Sequence, residues 1–203
     1  MGGGRFTLPI GRSEVAPRTV GTGQIRSTFA FGAAAHEACI GLGSNLGKPL
    51  EILQSAWEQL QQHPAIHPIT LSAPYRSQPV DMVSTNWFVN AAALVRTTLT
   101  PHALLQVLQS IEARCGRVRS IQTGYQDRTL DLDLLLYDDL IVQSDHLIIP
   151  HPQIRERLFV LEPLAEIAGD SVHPLIGKQV RDLLLDLRKV VHNQAVEQVS
   201  WPE

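Results

Sequence analysis

An α+β fold on a βαββαβ core is what the sequence predicts. Three observations carry that reading: the hydrophobic period switches between strand and helix values in a definite order, helix start and stop residues stand at the switches, and the apolar content suits one globular domain. Ala38 to Leu42 is a short apolar run that enters Gly41, Gly43, Ser44, Asn45, Leu46 and Gly47, a strand running into a turn. Pro49 suits a first helical position, and Leu50, Leu53, Trp57 and Leu60 recur at helical spacing until Pro64. Ile69 to Tyr75 and Phe88 to Leu99 read as strands, joined by the polar stretch Gln78 to Thr85. Thr100 and Pro101 open a second helix, carried by Leu104, Leu105, Leu108 and Ile111 and closed at Gly116. Leu130 to Tyr137 alternates Leu and Asp before becoming wholly apolar, a strand with one functional end. This order is the split βαβ of ferredoxin-like folds, with C-terminal helices near Arg155 to Ile167 and Gln179 to Leu187 and a short hairpin as additions.

The 203 residues include 17 Lys and Arg against 20 Asp and Glu, a net charge of −3, which excludes a strongly basic nucleic-acid binder. At 44% hydrophobic and 18% charged, the chain is too apolar to be disordered as a whole. No run approaches the ~18 apolar residues of a membrane span. Cys39 and Cys115 form no CxxC pair, so a reducing cytoplasm is the expected setting. The first residues are rich in Gly, Ser, Thr and Arg, with Glu14 the only acid before Glu37. A disordered extension over residues 1–36 is expected, although such a composition also suits an organelle transit peptide. The domain is assigned to residues 37–190, and the polar stretch 191–203 to a frayed tail.

The glycine-rich stretch Gly41 to Pro49 matches neither phosphate-binding fingerprint. GxGxxG needs glycine where Leu46 stands, and the P-loop needs Ser or Thr where Pro49 follows Lys48. A tight strand-to-helix turn is the reading that remains.

The chemical signal is stronger in Arg128-Thr129-Leu130-Asp131-Leu132-Asp133. Side chains two apart on a strand share a face, which places Asp131 and Asp133 side by side, roughly 6 to 7 Å apart, with the leucines facing the core. Two adjacent carboxylates repel unless a cation lies between them, and Mg²⁺ prefers such a pair completed by phosphate oxygens and water. The alternative is a solvated strand face, but strands disfavour Asp. Arg114, Arg117, Arg119 and Arg128 concentrate positive charge just before the pair. A guanidinium fork binds phosphate oxygens, so the pattern suits a polyphosphate held between arginines and metal.

These residues, with Gly43-Ser44-Asn45-Leu46, Tyr75-Arg76, Phe88-Val89-Asn90-Ala91, Gly116-Arg117-Val118-Arg119, Pro150-His151-Pro152 and Arg157-Leu158-Phe159-Val160-Leu161, resemble the 6-hydroxymethyl-7,8-dihydropterin pyrophosphokinases of folate biosynthesis. The resemblance runs from about Ala38 to about Leu187. It implies a ferredoxin-like fold and transfer of pyrophosphate from ATP to the pterin hydroxymethyl group, releasing AMP. It assigns Asp131 and Asp133 to two Mg²⁺ ions and Arg117 and Arg128 to the transferring phosphates. His151 and Arg157 become nucleotide-phosphate contacts, and Gln109 and Glu112 further residues of the ATP site. Phe88 and Phe159 are implied to sandwich the pterin, with Asn90 and the backbone near Ser77 and Val80 bonding its edge. Loops Gln78 to Thr85 and Ser120 to Asp127 are expected to act as lids. The chain departs from the family in Gly124-Tyr125-Gln126-Asp127, where members usually have Trp-Gly-Pro, and Asp127 is expected to add negative charge near ATP. Asn86-Trp87 also stands where many members carry acidic or small residues. Expected partners are the two small substrates alone, without nucleic acid or membrane, and the expected state is a monomer. A metal-nucleotide-binding module and a two-metal phosphohydrolase are the rival readings; neither needs the aromatic and Asn set.

Overall fold

The computed structural model describes Met1 and residues 35–80, 84–116 and 126–202. The chain divides into two units, Met1–Gly32 and Ala33–Glu203, and the described elements belong to the second. The expected N-terminal extension lies largely outside the described residues, as do Arg117, Arg119, residues 81–83 of one expected lid and residues 120–125 of the other.

Strand β1 (His36–Ser44) runs two residues further than the apolar run predicts, so Gly41 and Gly43 lie within the strand rather than in the turn. The turn glycine is Gly47, at φ +70°. Helix α1 (Pro49–Gln61) starts on its proline and buries Leu53, Ala56 and Leu60. The single strand expected over Ile69 to Tyr75 is instead two, β2 (Ile66–Leu71) and β3 (Tyr75–Ser77). Pro74 stands in the break and cannot donate to a ladder, whereas Pro68 lies inside β2 where its register against β4 shifts. Between the strands, Ser72 keeps the chain on its neighbour: its N–H donates to Ala92 O at 2.9 Å and its hydroxyl accepts from Ala92 N at 3.0 Å.

Strand β4 (Phe88–Thr97) leads to α2 (Pro101–Arg114), whose first turn is capped by the Thr100 hydroxyl accepting from Ala103 N at 3.3 Å. Strand β5 (Asp131–Tyr137) follows, then a small hairpin, β6 (Val142–Gln143) and β7 (Ile148–Ile149). One 3₁₀ turn (Ile154–Glu156) precedes α3 (Leu158–Ala168), a second hairpin of β8 (Val172–His173) and β9 (Lys178–Gln179), and α4 (Val180–Val190).

The tail does not fray. Residues Val196–Gln198 form β10, an edge strand antiparallel to β3, and the Trp201 indole N–H donates to Ser72 O at 3.1 Å. The main sheet is antiparallel in the order β10-β3-β4-β1-β5, with β2 also paired to β4. Its order β5-β1-β4 and the two helices of the βαββαβ path reproduce the ferredoxin-like arrangement.

Two apolar layers form on the two sheet faces. One joins α1 and α2 to Ile40, Leu42, Ala93, Leu132 and Leu134; the other joins α3 and α4 to Cys39, Ala92, Leu135 and Leu136. A bulge lets β5 serve both: Ile40 pairs with Leu134 and Cys39 with Leu136, so Leu135 is the extra residue. N-terminal to the bulge, Leu132 and Leu134 face α1 and α2, leaving Asp131 and Asp133 on the α3 face.

Candidate active site

The register places two cross-strand rows on the α3 face. Asn90, Gly43 and Asp131 lie abreast on β4, β1 and β5, and Ala92, Gly41 and Asp133 form the next row. Small residues at the centre make space between the polar flanks. A Cβ on Gly43 would stand 3.2 Å from Asn90 Oδ1 and 3.9 Å from the Cβ of Asp131. The start of α3 overlooks these rows and supplies Arg157 and Phe159.

The result is a cavity of about 250 Å³. Asp131, Asp133, Arg128, His151 and Arg157 line it as the charged and titratable wall. Phe88, Phe159, Asn90, Ser77 and Val80 line it as the aromatic and polar wall. Gly43, Gln78 and Gln153 also line it and were not anticipated as site residues. The signal for Gly43 was present in the sequence, since glycine on a strand often marks close approach of another group. Asp133 and His151 also border a second cavity of about 330 Å³, floored by Leu105, Leu134 and Leu147 and edged by Ser144, Asp145 and His146.

Local bonds orient these side chains. Arg128 Nη1 pairs with Asp131 Oδ2, bringing together a guanidinium and a carboxylate of the expected phosphate site. Asn90, 6% exposed, donates through Nδ2 to the Ser77 hydroxyl at 2.9 Å, which leaves its Oδ1 toward Gly43. His151 Nδ1 accepts from Gln153 N at 3.3 Å, so a neutral ring carries its proton on Nε2. Burial, then the neighbouring Arg157 charge, lower the His151 pKa, and Asp131 opposes them. The ring is therefore a neutral donor at pH 7. The Arg157 guanidinium lies 5.4 Å from the centroid of the Phe159 ring, a cation–π distance.

Two expected ATP-site residues line neither cavity. Gln109 is partly buried on α2, and Glu112 is 3% exposed with Oε1 accepting the Leu132 amide at 2.8 Å. Glu112 thus supports β5 from behind, between the two aspartates. Asp127 does not line the main cavity either; its carboxylate is occupied by Asn45 and Asn86, which donate to it at 2.7 and 2.8 Å.

Asp131 and Asp133 fit a hard divalent cation, offering oxygen donors from one strand face. Among the described residues no third His, Cys, Asp or Glu completes a cluster. Such a site suits Mg²⁺, which keeps water and takes its remaining ligands from substrate phosphates.

A ferredoxin-like sheet carrying paired carboxylates, arginines and an aromatic slot in one cavity defines a phosphotransferase of the α+β class. Comparison with known proteins narrows it. The family model for 7,8-dihydro-6-hydroxymethylpterin-pyrophosphokinase (HPPK) matches residues 39–169, and the chain belongs to that family. A 2-amino-4-hydroxy-6-hydroxymethyldihydropteridine pyrophosphokinase of Methylorubrum extorquens is 45% identical over 150 residues, covering 74% of this chain and 92% of that protein. The Haemophilus influenzae protein of the same name is 45% identical over 137 residues, 68% of this chain and 84% of its own. Among solved structures, wild-type Plasmodium falciparum HPPK-DHPS superposes with a TM-score of 0.61 at 13% identity. That match covers 75% of this chain and 44% of the Plasmodium chain, so it bears on the fold alone.

Proposed function

We propose that this chain transfers pyrophosphate from ATP to the hydroxymethyl group of 6-hydroxymethyl-7,8-dihydropterin, releasing AMP, as a step of folate biosynthesis. One observation carries the reading: a single cavity joins an aromatic and amide wall, Phe88, Phe159 and Asn90, to a phosphate-binding wall, Asp131, Asp133, Arg128 and Arg157. Phe88 and Phe159 offer stacking surface to a flat heterocycle, and Asn90 with Ser77 offers hydrogen bonds to its edge. The second cavity beyond Asp133 and His151 has the apolar floor that suits the nucleoside end of ATP.

In the reaction the pterin hydroxyl oxygen bonds to the β-phosphorus of ATP. The bond from that phosphorus to the bridging oxygen of AMP breaks, and the hydroxyl proton passes to solvent. No protein nucleophile is needed, so catalysis consists of alignment and charge neutralisation. Asp131 and Asp133 would hold Mg²⁺, in our reading two ions, which would supply neutralisation of the phosphate charge. Arg128 and Arg157 bind phosphate oxygens, as would Arg117, and neutral His151 donates through Nε2. A cytoplasmic setting is the one we infer, supported by free thiols at Cys39 and Cys115, and a monomer is the state we expect there. No described helix is long and apolar enough to cross a membrane.

Equilibrium binding of the pterin tests the placement. Phe159→Ala and Asn90→Ala are each expected to weaken it about tenfold, the loss of one stacking or buried polar contact. Unaltered affinity in both variants would contradict the assignment of this cavity.

A further inference from the structure

Asp127 stands directly before Arg128, is exposed, and accepts from residues of two other segments. Asn45, in the turn after β1, donates to Oδ1 at 2.7 Å; Asn86, in the segment before β4, donates to Oδ2 at 2.8 Å. The Ser84 hydroxyl adds a third bond, while its oxygen accepts from Asn86 N at 3.0 Å. Both asparagines sit next to the cavity walls. Asn45 Oδ1 accepts from Arg128 N at 2.8 Å, and Asn45 N donates to Arg128 O at 3.1 Å, which fixes the Arg128 backbone on both sides. Asn86 lies two residues before Phe88, and the Arg76 guanidinium stands over the ring of the intervening Trp87, 4.4 Å from its centroid. A carboxylate only accepts, so it obliges both asparagines to present their NH₂ groups. That choice leaves the Asn45 carbonyl oxygen for the Arg128 amide.

We propose that Asp127 is a positioning residue that ties the pterin wall to the phosphate wall, setting Arg128 through Asn45 and the approach to Phe88 through Asn86. The inference rests on the transferase reading for its kinetic consequence and on geometry alone for the contact. The carboxylate at this position is therefore held by neutral donors and acts on placement.

The test compares Asp127→Asn, Asn86→Ala and the double variant with the unaltered chain, each in steady-state kinetics with ATP and 6-hydroxymethyl-7,8-dihydropterin. Asp127→Asn puts a donor where only acceptors fit. It is expected to raise KM for both substrates about tenfold, the scale of one charge-assisted hydrogen bond, with an unchanged thermal midpoint. Asn86→Ala is expected to raise KM for the pterin alone, and the double variant to be no worse toward the pterin than Asp127→Asn. Unchanged KM values in Asp127→Asn, or effects that multiply in the double variant, would overturn the proposal. Amide exchange by NMR separates this from failure of the functional reading, because it needs no turnover. Faster exchange of the Arg128 amide in substrate-free Asp127→Asn supports the tie, and equal exchange refutes it.

Discussion

Glu112 offers the sharpest separation between a substrate contact and a structural support. The residue is 3% exposed, and its carboxylate accepts the amide of Leu132, itself 3% exposed, at 2.8 Å. Truncation in Glu112→Ala leaves that amide donor buried without this acceptor, a cost of roughly 1–3 kcal/mol, and adds a small void beneath β5. A total of about 2–3 kcal/mol corresponds to a fall in Tm of roughly 4–12 °C for a chain of this size. Glu112→Gln keeps an amide oxygen for Leu132 and is expected to cost under about 1 kcal/mol. Urea unfolding gives the free energies, and ATP titration shows whether the site survives in Glu112→Gln. Lost ATP affinity in Glu112→Gln at unaltered stability would refute the reasoning and return Glu112 to the nucleotide. Equal stability loss in both variants would show that the acceptor is not what matters.

Asp131→Ala and Asp133→Ala are each expected to lower turnover at least about a thousandfold while leaving the circular dichroism spectrum and m-value unchanged, since each removes a proposed metal ligand. Half-buried His151 and buried His173 both have lowered pKa values, chiefly through desolvation, so both stay neutral in the folded chain at pH 7. The unfolded chain takes up these protons near pH 6.5 and the folded chain only below it. Stability is therefore fully present above that pH and falls as pH drops through it, a slope that urea titrations should find reduced in His173→Gln. Gln194 accepts from Leu158 N at 2.8 Å and donates to Glu156 O at 3.0 Å, bracketing Arg157. Gln194→Ala should cost about 1–2 kcal/mol in urea unfolding and raise the pterin KM through Phe159.

The elements legible in the sequence are those whose burial imposes a period. Leu53 and Leu60 on α1, Leu104, Leu108 and Ile111 on α2, and the Leu-Asp alternation of β5 each report a buried face, and Pro49, Pro101 and Thr100 mark helix starts. What escaped is held by backbone and polar contacts that leave no period. Strand β10 reads Val-Glu-Gln, only partly buried at Val196, and owes its place to pairing with β3. The run Leu134-Leu135-Leu136 reads as uniformly apolar, yet the bulge at Leu135 sends its members to opposite faces. In the site, the paired aspartates, Arg128, His151, Arg157, Phe88, Asn90 and Phe159 were found from motifs and do meet in one cavity. The bond by which Glu112 accepts the Leu132 amide was not legible, because a motif names a residue without saying which way its helix turns it. The Asn45, Asn86 and Asp127 contacts join residues 41 to 82 positions apart, beyond the reach of any local pattern.

The most direct test of the account is AMP release from ATP and Mg²⁺, measured with and without 6-hydroxymethyl-7,8-dihydropterin. AMP formed only with the pterin, one for each pterin diphosphate, is the predicted result. ADP in place of AMP, or AMP at the same rate without the pterin, would contradict pyrophosphate transfer.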